Sequence, residues 1–139
     1  MNGVNKLKAE VRKVRKAFEK IKHLLPDSFK KFPKGCCGPV SLILNEYLYI
    51  KGYGKFKYVC GDKGKGKEKR SHAWLEEGEY IIDITADQFS GCLPVVVTKD
   101  RGFYNDFNIK EMKVVRIRDY DLRTRKELNL VLNKIKNNL

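Results

Sequence analysis

Apolar residues recur at steps of three and four from Val4 through Leu7, Val11, Val14, Phe18, Ile21 and Leu25. One stripe of that period, with Lys and Arg on the other faces, predicts an amphipathic helix over residues 1–26, closed by Pro26. Such a stripe seeks a core, although a basic amphipathic helix also suits a membrane surface or nucleic acid. Pro33 and Gly35 mark an irregular loop. The following run "GPVSLILNEYLYIKGYG" differs in kind. Val40, Leu42, Ile43, Leu44, Tyr47, Leu48 and Ile50 cover most faces, so a second helix is expected to be buried all round. Pro39 suits its first position, and Gly52 and Gly54 stop it.

Beyond Gly54 the period changes to two. "KFKYVC" alternates as a strand does, and "GDKGKGKEKR", from Gly61 to Arg70, reads as an exposed, mobile loop. Its glycines and lysines lack the spacing of a phosphate-binding loop. "SHAWLEEGEYIIDIT", from Ser71 to Thr85, reads as two strands around a tight turn. "CLPVVVT" and "MKVVRI" read as further strands, with "GFYNDFNI" as a loop anchored by aromatic residues. Leu128, Val131, Leu132, Ile135 and Leu139 form the stripe of a closing helix over 120–139. Two helices, a run of strands and a helix, without repeats or a linker, predict one α+β domain over 1–139. Its antiparallel sheet packs against helices.

The hairpin carries candidate chemistry. With Glu77 and Gly78 as a two-residue loop, Glu76 faces Glu79, Trp74 faces Ile81 and His72 faces Asp83. Opposed side chains have Cβ atoms about 4.5–5.5 Å apart, which lets an imidazole and a carboxylate hydrogen-bond. The acid then fixes the ring's tautomer and raises its basicity, as a general base requires. Alternation puts His72, Trp74, Ile81 and Asp83 on one face. Ala73, Leu75, Tyr80, Ile82 and Ile84 take the other, expected to be the core face. The His–Asp pair is therefore expected on the less apolar side, beside one tryptophan. An idle, half-exposed ion pair fits the same spacing.

"KGCCGPVS" supplies a nucleophile. A cysteine at a helix N-terminus meets free N–H groups and the positive end of the helix dipole, which favour the thiolate. Gly35 and Gly38 allow close approach of a substrate to the backbone, and N–H groups at the helix start suit an oxyanion. Cys36 and Cys37 also fit as small packing residues, and Cys36 competes for the nucleophile role. Together with the hairpin they complete a Cys–His–Asp constellation in that chain order.

These residues carry a family resemblance over about residues 33–89. Gly35-Cys36-Cys37 with Ser41 resembles the helix start of papain-like and transglutaminase-like enzymes. His72-Ala73-Trp74-Leu75-Glu76 resembles the His-x-Trp-x-Glu strand of the transglutaminase-like branch, and Asp83-Ile84-Thr85 its Asp-x-Thr strand. The resemblance implies a helix bearing nucleophile Cys37, packed on an antiparallel sheet bearing base His72 and orienting acid Asp83. It implies hydrolysis or acyl transfer at peptide or amide bonds through a thioester, with a peptide or protein substrate. Cys36, Gly38, Trp74 and Gln88 are further oxyanion or substrate candidates. The glutamine that papain-like proteases carry six residues before the nucleophile is absent; Lys31 stands there.

Composition changes the picture little. In 139 residues, 42% are hydrophobic and 34% charged, enough apolar material for one core. The net charge of +13 suits an anionic partner. It makes a basic binding module, for nucleic acid or an acidic protein, the alternative function. An inactive peptide-binding relative is a second alternative. Lysine spread along the whole chain does not favour nucleic acid over a merely solvated surface. No apolar run approaches the roughly 18 residues of a membrane span, and the charged N-terminus lacks the apolar segment of a signal peptide, so a cytoplasmic location is expected. With four cysteines, no C-x-x-C pair and two histidines, reduced thiols without metal or cofactor are expected.

Overall fold

The N-terminal stripe forms helix α1 (Asn2–Ile21) in the computed structural model, which describes residues 2–139, with side chains from Gly3 onward. Met1, included in the expected helix, lies outside the described residues. Leu7, Val11, Val14, Phe18 and Ile21 are buried on one side of α1, as the spacing requires. The last expected turn is instead a 3-10 turn (Lys22–Leu24), because the residue before Pro26 is pushed out of the helical region: Leu25 is extended at φ −94°, ψ 166°. Leu25 still reaches the core.

Helix α2 (Cys37–Ile50) starts one residue before the predicted run and makes Pro39 its third residue, not its first. The shift costs nothing, because the first intrahelical bond is the Val40 N–H to the Cys36 carbonyl and Pro39 has no bond to lose. At the other end Tyr53 N–H donates to the Leu48 carbonyl at 2.9 Å and Gly52 N–H to that of Tyr49 at 3.0 Å. This paired closure needs a left-handed residue, and Gly52, at φ +88°, provides it. Every residue from Val40 to Leu48 is buried.

The sheet comprises β1 (Lys57–Lys63), β2 (Arg70–Glu77), β3 (Tyr80–Asp83), β4 (Val96–Thr98) and β5 (Asn108–Val114), in the order β4-β3-β2-β1-β5. All neighbours are antiparallel. β1 runs past Cys60 because Lys63 pairs with Arg70, so the expected long loop shrinks and holds a 3-10 turn (Gly66–Glu68). β4 keeps only the end of "CLPVVVT". β5 begins within the aromatic segment and stops before Val115, displaced from the expected "MKVVRI" because its partners are the residues of β1. Helix α3 (Leu122–Lys136) is shorter than 120–139. Leu128, Val131, Leu132 and Ile135 are buried, and Leu139 is exposed.

Three helices and a five-stranded antiparallel sheet thus form an α+β fold. The helices share the main core with Tyr58, Ala73, Leu75 and Ile82 from one face of the sheet. The opposite face is not solvated. The segments on either side of β4 fold back over it at β1, β2 and β3, and Phe89, Tyr104 and Phe107 join Val59, Trp74 and Ile81 in a second, smaller core. Glu46 on α2 accepts bonds from the Arg116 guanidinium and, at 3.1 Å, from the Ile117 N–H, fastening α2 to the chain that leads into α3. No helix among the described residues is long and apolar enough to cross a membrane.

Candidate active site

Two stretches distant in sequence meet at the α2 start: the β2–β3 hairpin and the turn after β3. The hairpin register is Leu75 with Ile82, Glu76 with Ile81 and Glu77 with Tyr80. The turn is therefore Gly78-Glu79, one residue later than expected. Gly78 has φ +58°, the backbone demanded at the first central position of a tight hairpin turn. Opposite partners shift by two, so His72 lies diagonal to Asp83 instead of directly across. Because side chains alternate with period two, the shift leaves both on the same face. A diagonal pair remains within reach of long side chains: His72 Nε2 lies 2.6 Å from Asp83 Oδ2.

That face is not the wetter one. His72 is 0% and Asp83 2% exposed, which rules out an idle surface pair. Four donors hold the acid. Oδ2 accepts from His72 and, at 2.8 Å, from the Tyr104 hydroxyl; Oδ1 accepts from the Thr85 N–H at 2.9 Å and its hydroxyl at 3.3 Å. A carboxylate held by so many donors is fixed in place and fixes the ring it faces. Burial and the neighbouring carboxylate push the Tyr104 phenol up, so it stays a donor.

With Nε2 engaged by Asp83, the other ring nitrogen, Nδ1, meets the Gln88 amide nitrogen at 3.2 Å. Cys37, the first residue of α2 and half-buried, lies close enough to the His72 ring and the Ala73 N–H for both to act on its thiol. Burial alone would push its thiol up, but the bond and charge of His72, with the Ala73 N–H, outweigh burial and hold it below its ordinary value. Burial likewise opposes charge on His72, and the bonds to Asp83 and Cys37 with their negative charge raise it. Both shifts run toward a thiolate–imidazolium pair, in which Nδ1 carries a proton and the Gln88 amide nitrogen gives up its acceptor there. The other thiols shift the opposite way. Burial, aided by the charge of Cys37, pushes Cys36 up to about 12. Burial also raises Cys60 and Cys92.

The remaining candidates divide. Gln88, in the turn after β3, is that partner of Nδ1 and stands at the ring edge that Asp83 leaves open. Gly38 sits where the helix start approaches β1, and an added Cβ would lie 3.1 Å from the Tyr58 hydroxyl. Cys36 is 1% exposed and packs in the main core, out of reach of a substrate. Trp74 is also sealed, at 0% exposure. It packs 5.7 Å from His72 by ring centroids, and its N–H donates to Glu76 at 2.8 Å, so it supports the histidine from beneath instead of touching substrate.

Two supports have no counterpart in the sequence patterns. Tyr104 is one. The other is Arg15 of α1, whose guanidinium grips Asp87 at 2.7 and 2.8 Å and the Ile84 carbonyl at 2.8 Å, and so fixes the turn that carries Gln88. Among the described residues no group of three or more His, Cys, Asp or Glu is arranged to hold a metal ion. No family model, no curated protein and no solved structure matches the chain.

Proposed function

We propose that the chain is a small cysteine hydrolase or acyltransferase acting on peptide or amide bonds, with a papain-like or transglutaminase-like core. The observation that carries this reading is the Cys37–His72–Asp83 line in a buried setting, with one thiol lowered while three others are raised. The resemblance of the three motifs, in that order, supports it further.

The Cys37 thiolate adds to the carbonyl carbon, and the C–O π electrons move to oxygen. The N–H groups of Cys37 and Gly38 precede the first intrahelical bond and are free to donate to that oxyanion. Gln88 is the side-chain donor once its amide leaves the ring nitrogen. The imidazolium of His72 passes its proton to the departing nitrogen as the C–N bond breaks, leaving an acyl thioester. Neutral His72 then takes a proton from water or from an acceptor amine, which attacks the thioester and restores the thiol pair. Asp83 holds the ring throughout.

Iodoacetamide labelling at mildly acidic pH, read by peptide mass spectrometry, tests the reading. Cys37 is expected to label first and stoichiometrically; equal and slow reaction of all four cysteines would sink it.

A further inference from the structure

Two cations stand on the aromatic wall around the histidine. Lys63 and Arg70 are cross-strand partners at the end of β1 and β2. The Lys63 ammonium lies 4.6 Å from the Phe103 ring centroid, 4.8 Å from that of Phe107 and 5.4 Å from that of Phe89. The Arg70 guanidinium carbon lies 4.7 Å from that of Phe89. The same three rings surround His72, at 6.3, 5.9 and 5.0 Å between centroids. A ring face attracts a cation without neutralising it. Among the described residues neither cation pairs with a carboxylate; Asp62, in the same hairpin end, pairs with Lys69 at 3.3 Å. Two like charges sharing one ring repel each other, and an anion between them would relieve that repulsion.

We propose that Lys63 and Arg70 hold a carboxylate carried by the leaving amine of the substrate. This inference rests on reading Cys37, His72 and Asp83 as a hydrolase or acyltransferase site. In that chemistry His72 gives its proton to the departing nitrogen, so the departing half passes on the histidine side, where Phe89 and both cations sit. The acyl half stays with Cys37. The favoured substrate is an amide whose amine half is negative: the last peptide bond of a chain, with its terminal carboxylate, or a bond followed by Asp or Glu.

Alkylation of Cys37 by iodoacetate and by iodoacetamide gives two rate constants, one for an anionic and one for a neutral reagent. Their ratio reads the local preference for negative charge. In the double variant Lys63→Met, Arg70→Met, which keeps apolar stems on the rings, the iodoacetate-to-iodoacetamide ratio is expected to fall about tenfold. The swap Lys63→Arg, Arg70→Lys should preserve it. An unchanged ratio in the double Met variant overturns the subsite. Digestion of free-acid peptides, their amidated forms and amidated peptides with internal Asp or Glu then separates the sources. Release of the last residue from free acids alone assigns the chain terminus, and cuts before Asp or Glu assign an acidic side chain. Turnover indifferent to any carboxylate overturns the subsite and leaves the cysteine enzyme standing. Failure of Cys37 to label selectively overturns both.

Discussion

Adjacent thiols at positions 36 and 37 meet opposite surroundings, and the surroundings decide their chemistry. Cys36 is enclosed by apolar side chains, whereas Cys37 faces a ring that holds its proton. The Cys37 alkylation rate is therefore expected to rise with a midpoint below the usual thiol value of about 8.5. His72→Gln removes the main favourable influence and leaves burial opposed only by the Ala73 N–H, so the midpoint should climb past the usual value, measured as rate against pH. Gln88→Ala should lower kcat by about 100-fold if its amide serves the oxyanion, while Cys37 still labels at mildly acidic pH. Cys37, His72 and Asp83 are legible in the sequence because each lies in a short local pattern. Tyr104 is not, since its bond to Asp83 spans 21 residues and depends on how the chain folds back. Trp74 shows the reverse error: its place in the motif suggests a substrate contact, and only burial shows that it lies underneath.

At the scale of elements, period and punctuation were enough to locate the helices and the hairpin, but not their ends. Pro26, Gly52 and Gly78 mark real boundaries, while strand limits follow partners that no local pattern names, as β5 does in following β1. The hairpin turn is misplaced by one residue, yet the face of every side chain survives because the pairing shifts by two. Glu46 joins two elements, and its folded state depends on acid. Burial raises its pKa, but the bonds from Arg116 and Ile117 win and lower it. Its contribution to stability is then fully present above the unfolded carboxylate value and is lost as pH falls through the lower folded value. Glu46→Ala leaves the half-buried Arg116 and the buried Ile117 N–H without their acceptor and should cost about 1–3 kcal/mol, measured by urea unfolding at neutral pH. Glu46→Gln should flatten the acid limb of stability against pH.

At the scale of the molecule, the central strands β1, β2 and β3 are covered on both sides, and the smaller core does double duty as the wall of the site. Alternation assigns the core to one face of the hairpin and leaves His72, Trp74, Ile81 and Asp83 on a less apolar side. It misses the second layer because Phe89, Tyr104 and Phe107 lie in segments whose pattern reads only as loop. Phe107→Ala should cost about 3–4 kcal/mol and slow Cys37 labelling at the same time, since the rings that bury His72 also order it. Differential scanning calorimetry and the labelling rate check the two halves of that expectation. Arg15 extends this dependence to the opposite end of the chain. Its guanidinium is the mooring of the turn that bears Gln88, yet it belongs to the first helix. A proteolytic nick in the segment between α1 and α2 that let the first helix drift away would strip Val11, Val14 and Phe18 from the main core and release both the Ile84 carbonyl and Asp87. The corner that carries the acid and the amide would then come adrift from a cut made far away along the chain.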